Sequence, residues 1–282
     1  MKIWIVGKRG LLGSALLTLC EKRKIPFVAT SSSQVDIISS EAILNFVERE
    51  RPTHIINCAA YTAVDLAEKE KERAFAVNAH GAENLARVAR DFSSRLIHLS
   101  TNYVFDGKSR TPYQEEDVAH PLSVYGMSKW EGEKRVTAML PQACVIRTSW
   151  LFGEGGKNFV SSLLHVLKTE KIVRAATDQR GRITSAKDLA EAILSLLSAE
   201  GVFHFANQGA LSRYEIARAI DEAAKKKGIS VKTEQILPAL ASDFIAPAAR
   251  PDMSVLATDK IEKQLPIRSW EPAFEEYLDA LS

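Results

Sequence analysis

Lys2-Ile-Trp-Ile-Val6 runs directly into Gly7-Lys-Arg-Gly-Leu-Leu-Gly13, and these residues decide the fold of the chain. Residues 2–6 predict a short buried strand, and residues 14–22 predict a helix. A strand, a glycine turn and a helix in this order are the usual arrangement for binding a dinucleotide. We expect Gly7 to make the tight turn, Gly10 to let the backbone approach a pyrophosphate, and Gly13 to let the helix pack on the strand.

The residues after the second predicted strand, residues 26–30, indicate which dinucleotide binds. Thr30-Ser-Ser-Ser33 stands where an NAD site usually has an Asp or Glu, roughly 20 residues after the first glycines. Lys8 and Arg9 lie inside the glycine loop, where two cations could meet a 2′-phosphate. NADPH is therefore the expected cofactor, and NADH remains the alternative if both cations point to solvent.

Strands and helices alternate through the first half of the chain. Further strands are predicted at residues 54–58, 95–100 and 143–148, with helices between them. This alternation predicts an α/β fold with a Rossmann-like, doubly wound parallel sheet and a smaller C-terminal substrate-binding lobe. We expect residues 1–148 to form the nucleotide-binding domain, with helices near 158–169 and 186–199 packed on it, and residues 149–282 to form mainly the lobe.

Composition excludes several classes of protein. Apolar residues make up 46% of the 282 residues, charged residues make up 26%, and the formal charge is +2, so no nucleic-acid partner is indicated. No basic segment leads into an apolar one at the start, and no run of about 18 apolar residues occurs, so we expect a cytoplasmic protein without a membrane partner. Cysteines and histidines show no ligand spacing, so no metal site is predicted.

The segment Ser123-Val-Tyr-Gly-Met-Ser-Lys129 places a tyrosine and a lysine four residues apart. On a helix this spacing puts Tyr125 and Lys129 on one face. An ammonium group beside a phenol favours the phenolate and lowers its pKa, so the pair could exchange a proton with a carbonyl or alcohol group. The spacing alone is also typical of an ordinary solvated amphipathic helix.

Together these motifs resemble the extended short-chain dehydrogenase/reductase family and, within it, the dTDP-4-dehydrorhamnose reductases. The similarity covers nearly the whole chain, and its most specific segments are Tyr61-Thr-Ala-Val-Asp65, Thr148-Ser-Trp150 and Arg250-Pro251. The resemblance implies a monomer or homodimer that uses NADPH to reduce the C4 keto group of a nucleotide-linked 6-deoxy sugar. The implied product is dTDP-L-rhamnose, a precursor of surface polysaccharide.

The resemblance also implies roles for individual residues. Tyr125 would protonate the C4 oxygen, Lys129 would lower the Tyr125 pKa and bind the nicotinamide ribose, and Thr101 would orient the same oxygen. The cofactor would contact Tyr125 and Lys129 and also Gly7, Lys8, Arg9, Gly10, Leu11, Leu12, Gly13, Asp36, Ile37, Ala59, Ala60, Tyr61 and Asn78. The substrate would contact Asn102, Tyr103, Trp150, Asn158 and Arg250, the last by pairing with the diphosphate.

Two positions depart from the family pattern. Asn102 stands where Asp is usual, which keeps the size and one acceptor but loses the charge. Ala15 stands where some relatives have a Glu that helps to bind magnesium at a dimer interface, so that metal-linked dimer is not expected. Two alternatives stay open: a reductase or epimerase of another nucleotide 4-keto-6-deoxy sugar, and a non-catalytic, dinucleotide-binding regulatory subunit.

Overall fold

The computed structural model describes residues 1–156 and 158–281. Its strands are β1 Ile3–Val6, β2 Phe27–Thr30, β3 His54–Asn57, β4 Arg95–Thr101, β5 Cys144–Thr148, β6 Leu151–Phe152, β7 Ile172–Ala176, β8 Arg180–Arg182, β9 Thr184–Ser185, β10 Gly201–Phe205, β11 Ala210–Ser212 and β12 Gln235–Ala239. Its α-helices are α1 Leu11–Lys22, α2 Ser40–Glu50, α3 Val64–Ala67, α4 Lys71–Phe75, α5 Ala82–Asp91, α6 Val124–Met139, α7 Phe159–Thr169, α8 Ala186–Ser195, α9 Arg213–Lys226, α10 Asp259–Glu262 and α11 Trp270–Asp279. None of the described helices is long and apolar enough to span a membrane.

A six-stranded sheet in the order β2-β1-β3-β4-β5-β10 forms the centre of the molecule, and all its neighbours pair in parallel. The chain passes from β1 outward to β2 and then returns to the other side of β1 to form β3. In sheets of this kind, ligands bind outside the carboxyl ends of the strands where the order reverses. The predicted doubly wound parallel sheet is confirmed, and its topology places a ligand site beyond β1 and β3.

Helices cover both faces of this sheet. One face buries Ile5, Leu16 and Leu189 in a core shared by β1, α1 and α8. The opposite face buries Trp4 and Leu85, among others, against α2, α5 and α6. Because both faces are covered, the central strand β1 is a continuous apolar run, and every residue of it is buried.

A second core lies in the C-terminal half, where α7, α9 and α11 pack around Phe152 and Phe274. The helix predicted near residues 158–169 was expected to pack on the first domain, but α7 packs instead against α9. The helix predicted near 186–199 does return to the first unit, since α8 packs on α1. β10 also joins the first sheet beside β5, so the two units interleave along the chain after residue 148.

The helical segment between β3 and β4 is interrupted in the structure. It is divided into α3, α4 and α5, with a π-helical turn over Ala76–Gly81 joining the last two. A π-turn holds one more residue per hydrogen-bonded turn than an α-helix, and such turns are frequent at functional sites. This turn carries Asn78, which is buried.

The glycine loop between β1 and α1 has the predicted geometry. Gly7 has a φ of +88°, and a Cβ at Gly13 would lie 2.3 Å from the Gly7 carbonyl oxygen. α1 can therefore approach the end of β1 only with glycine at residue 13. Gly10 differs, because it is extended and a Cβ there would meet nothing closer than 3.5 Å. The protein itself leaves room at Gly10, on the side where a ligand would approach the start of α1.

Replacing Gly13 with Ala should lower the free energy of unfolding by about 1–3 kcal/mol, because the added methyl group overlaps backbone atoms. Gly10→Ala is the matched control, and its urea midpoint should stay close to that of the wild type. Equal midpoints for both variants in urea denaturation would contradict the close packing of α1 on β1.

Candidate active site

Two connected clefts lie at the carboxyl edge of the sheet. The first cleft, of about 560 Å³, lies beyond β1 and β2 and is lined by Val6, Gly7, Arg9, Gly10, Ser31, Ser32, Ser33, Val35, Asp36, Ile37, Ile38, Cys58, Ala59, Ala60, Tyr61, Arg73 and Val77. The second cleft, of about 630 Å³, reaches the C-terminal unit and includes Leu11, Leu12, Gly13, Thr101, Asn102, Tyr103, Tyr125, Lys129, Trp150, Asn158 and Phe159. Arg9, Gly10, Cys58 and Ala60 line both clefts.

Most residues predicted to bind the cofactor line one of these clefts. Lys8 and Asn78 are the exceptions, since neither is among the lining residues of either cleft. In the glycine loop it is therefore Arg9, not Lys8, whose side chain borders the space beside Ser31.

Tyr125, Lys129 and Thr101 are brought together by the packing of α6 on β4. Ser123 caps α6 by accepting a hydrogen bond from the Gly126 amide at 3.2 Å, which places Tyr125 in the first turn. The hydroxyl groups of Thr101 and Tyr125 are hydrogen-bonded, and the Lys129 ammonium group donates to the carbonyl oxygen of Leu99. All three predicted catalytic side chains thus face the second cleft.

Burial is the largest influence on the pKa values of Tyr125 and Lys129. It raises the pKa of Tyr125 to about 12, although the hydrogen bond from Thr101 acts in the opposite direction. Burial also lowers the pKa of Lys129 to about 8, opposed by the negative charge of Glu133. The expected lowering of the Tyr125 pKa by Lys129 is therefore not found, because the loss of solvation determines the direction of the shift. At neutral pH Tyr125 keeps its proton and can donate it.

A buried ion pair behind Lys129 was not identified from the sequence. The Glu133 carboxylate lies 2.8 Å from Nη2 of Arg147, and the two side chains are 2% and 3% exposed. The Arg147 Nε lies 3.1 Å from both carboxylate oxygens, and the Ser100 hydroxyl donates to the same carboxylate. The signal was present in the sequence, because Glu133 follows Lys129 at the same four-residue spacing that links Lys129 to Tyr125.

The side-chain amide of Asn78 is hydrogen-bonded within the protein. Its Oδ1 accepts a hydrogen bond from the Tyr61 amide at 2.8 Å, and its Nδ2 donates to the Tyr61 carbonyl oxygen at 3.1 Å and to the Ser128 hydroxyl at 2.9 Å. These bonds occupy the buried amide. Asn78 therefore positions the Tyr61 loop, which borders the first cleft.

Two glycines let α6 approach the rest of the site closely. A Cβ at Gly126 would lie 2.3 Å from the Tyr103 carbonyl oxygen, and one at Gly132 would lie 2.1 Å from the Asn78 carbonyl oxygen. α6 is therefore in backbone contact with the loop after β4 at one end and with the π-turn farther along. Tyr125 and Lys129 lie within the segment that these two contacts hold in place.

Four of the substrate residues predicted from the sequence line the second cleft, namely Asn102, Tyr103, Trp150 and Asn158, whereas Arg250 does not. Trp150 has a φ of +42°, and its ring packs over Gly181 and beside Phe159. A bulky residue in this region of φ is strained, and such strain often marks a ligand site. Asn158 lines the cleft, but its amide caps α7 and donates to the carbonyl oxygens of residues 153 and 156.

Asn102 is buried beside Thr101. Its Oδ1 accepts a hydrogen bond from the Thr101 hydroxyl at 3.3 Å, and its Nδ2 lies 3.5 Å from the carbonyl oxygen of Ser254. The neutral amide therefore connects β4 to the C-terminal segment at the wall of the second cleft.

Two arginines converge on Tyr103, whose ring lies edge-on to that of Tyr125 at 5.8 Å. Arg250 is hydrogen-bonded to Tyr103 and forms an ion pair with Asp65 at 2.7 Å. Arg213, which was not predicted from the sequence, is also hydrogen-bonded to Tyr103 and donates from Nε to a neutral Gln179 at 2.7 Å. Neither arginine is among the lining residues of the second cleft, so both lie behind its wall.

The Arg213 guanidinium group is stacked between aromatic rings, 5.0 Å from the ring centre of Trp150 and 4.8 Å from that of Phe159. Within the described ranges, no carboxylate lies within 4.0 Å of it. Burial lowers the pKa of Arg213. A cation that has lost solvent without gaining a carboxylate is costly, and a bound anion would relieve that cost.

The parallel sheet, the glycine loop and the Thr–Tyr–Lys group define a nucleotide-binding protein of the short-chain dehydrogenase/reductase type. More narrowly, the chain belongs to the family described as RmlD substrate binding domain, which matches residues 1–282.

Individual relatives agree with this membership. The chain is 33% identical to the dTDP-4-dehydrorhamnose reductase of Aggregatibacter actinomycetemcomitans, with 97% of each chain covered. It is 36% identical to the dTDP-4-keto-6-deoxy-D-glucose reductase of Streptomyces niveus, with 99% of this chain and 97% of the relative covered. The crystal structure of dTDP-4-dehydrorhamnose reductase from Bacillus anthracis in complex with NADP superimposes with a TM-score of 0.93 at 32% identity, and 99% of each chain is covered.

Asn78→Ala should lower the free energy of unfolding by about 1–3 kcal/mol, because it leaves the partly buried backbone amide and carbonyl groups of Tyr61 without these partners. It should also weaken dinucleotide binding, since the Tyr61 loop borders the first cleft. His80→Ala is the control, because His80 is exposed on the same π-turn. Thermal denaturation and calorimetric titration would measure both effects, and matching values for the two variants would contradict the positioning role.

Proposed function

We propose that this protein is an NADPH-dependent reductase that converts the C4 keto group of dTDP-4-dehydro-L-rhamnose to the alcohol, giving dTDP-L-rhamnose for surface polysaccharide. The main supporting observation is the Tyr125 hydroxyl, which is hydrogen-bonded to Thr101 and one helical turn from Lys129 in the second cleft. The family membership and the names of the relatives support the same reaction.

The residues of the first cleft fit a dinucleotide phosphate. Gly10 leaves space at the N-terminus of α1, where backbone amides favour a pyrophosphate. Arg9 and the hydroxyl groups of Ser31 and Ser32 would hold the 2′-phosphate. These serines stand where an NAD site usually has an acidic residue. Asp36 and Ile37 would lie beside the adenine. When bound, NADPH supplies the hydride for C4.

The protein residues supply the proton and control charge. Tyr125, kept neutral by burial, would donate its proton to the C4 oxygen, and Thr101 would orient the same oxygen by a hydrogen bond. Lys129 would then stabilise the Tyr125 phenolate, since its ammonium group is held by the Leu99 carbonyl oxygen. Lys129 would also bind the nicotinamide ribose.

On the substrate side, Trp150 would pack against the sugar or the base, and Tyr103 and Asn102 would line the sugar site. The positive charges of Arg250 and Arg213, behind the wall at Tyr103, would favour the substrate diphosphate on that side of the cleft. The charge of Arg213 is the less compensated of the two, because Arg250 pairs with Asp65 whereas no carboxylate of the described residues lies within 4.0 Å of Arg213.

A second candidate function is the reduction of a different nucleotide 4-keto-6-deoxy sugar. The neutral Asn102 in place of the usual Asp favours it, because the residue is buried beside Thr101 at the sugar site. The Streptomyces niveus relative carries the name of such a reductase.

The proposed function can be tested by following NADPH absorbance with dTDP-4-dehydro-L-rhamnose as substrate and identifying the product sugar. Oxidation of NADPH that yields dTDP-L-rhamnose would support the first candidate. Turnover with only other 4-keto-6-deoxy sugars would support the second. NADPH binding without turnover on any keto sugar would refute both and support a non-catalytic binding role.

Tyr125→Phe should reduce turnover by about 10²–10⁴-fold, because it removes the proton donor and leaves the ring in place. The NADPH dissociation constant should change little. Tyr214→Phe is the matched control, since Tyr214 lies on α9 and lines neither cleft. Steady-state kinetics and NADPH titration would measure both quantities, and near-normal turnover of Tyr125→Phe would show that another group is the acid.

Arg9→Ala should weaken NADPH binding by about tenfold or more and leave NADH binding nearly unchanged, because it removes a charge-assisted bond to the 2′-phosphate. Lys8→Ala is the matched control. It removes a cation from the same loop, but Lys8 lines neither cleft, so its effect on NADPH binding should be small. Measuring the dissociation constants of NADPH and NADH for both variants would test this prediction. Equal losses for NADPH and NADH in Arg9→Ala would place the 2′-phosphate elsewhere.

A further inference from the structure

Three side chains follow one another along the buried face of α6, at successive turns of the helix: Tyr125, Lys129 and Glu133. Each is bonded to one of three consecutive residues of β4. The Lys129 ammonium group donates to the Leu99 carbonyl oxygen, the Ser100 hydroxyl donates to Glu133, and the Thr101 hydroxyl is bonded to that of Tyr125. The third member of this row has no part in the chemistry proposed above.

Lys129 is enclosed by groups from three elements besides its own helix. Cys58 follows β3, and burial raises the pKa of its thiol, so the thiol is neutral. His98 on β4 is fully buried, and burial lowers the pKa of its imidazole well below the usual value, so it is also neutral. Arg147 on β5 is cationic and contacts Glu133. Among the described residues around Lys129, Glu133 therefore supplies the negative charge.

Hydrogen bonds from Arg147 and Ser100 hold the Glu133 carboxylate in place. Two nitrogens of Arg147 and the Ser100 hydroxyl occupy its oxygens, and the Arg147 guanidinium group is itself packed over the rings of Phe105 and Trp130, at 5.2 and 5.7 Å. Pairing with Arg147 fixes the carboxylate one helical turn from Lys129.

We propose that Glu133 is a positioning residue for the reaction. Its carboxylate keeps the buried Lys129 side chain in the ammonium form, and Arg147 and Ser100 hold the carboxylate in place. Without that charge, burial would favour the neutral amine, which cannot stabilise a phenolate at Tyr125. This inference rests on the proposed function for the use of Lys129 in turnover, but the protonation of Lys129 is a property of the protein alone.

The test is the titration of Lys129 in protein labelled with ¹⁵N-lysine, with the Nζ signal assigned by its loss in Lys129→Met. In Glu133→Gln the titration midpoint should fall by about one pH unit or more. The alkaline limb of the pH–turnover profile should move in the same direction. Glu131→Gln is the matched control, because Glu131 lies on the same helix and pairs with Lys134 and Arg135 at the surface. Its midpoint should equal that of the wild type.

Glu133→Gln leaves Arg147 as a buried, unpaired cation and could fail to fold. The double variant Glu133→Gln/Arg147→Gln removes both charges, and its Lys129 midpoint should also fall because the carboxylate is gone. An unchanged Lys129 titration midpoint in a folded variant would overturn the inference. The Glu133–Arg147 ion pair would then have only a structural role. A wild-type protein without turnover would refute the proposed function, while the ¹⁵N titration would still decide the role of Glu133.

Discussion

The structure of the site depends on the close approach of α6 to the neighbouring backbone. Gly126 and Gly132 leave the helix in contact with the carbonyl oxygens of Tyr103 and Asn78, at distances that no side chain would permit. This contact brings the buried face of α6 against β4. It also explains why the π-turn and the Tyr61 loop are connected to the same helix through Asn78 and Ser128.

Close packing removes water, and the removal of water sets the charges of the site. It favours the neutral forms of Tyr125 and Lys129 alike, as their shifted pKa values indicate. A neutral phenol suits a proton donor, but a neutral amine does not suit a group that must stabilise a phenolate. The buried pair of Glu133 and Arg147 meets this second requirement, because it introduces a negative charge near Lys129 without leaving that charge unpaired.

The second cleft is shaped by both units of the chain. Asp65, in the segment after β3, pairs with Arg250 and accepts a hydrogen bond from the Ala248 amide, which ties the C-terminal segment to the sheet. Trp150 turns the chain away from β5 in a strained backbone conformation and places its ring at the cleft. Gly181 leaves room for that ring, since a Cβ there would lie 2.9 Å from it.

The sequence by itself determined the features that depend on neighbouring residues. The turn at Gly7, the alternation that predicts a parallel sheet, and the common helical face of Tyr125 and Lys129 all follow from local conformational preferences and periodicity. Only the tertiary structure decided the features that depend on distant contacts and burial. It moved α7 to the C-terminal core, gave Asn78 a positioning role and brought Arg213 to Tyr103. It also raised the pKa of Tyr125, because the cost of an ion in a dry interior depends on every element that excludes water from it.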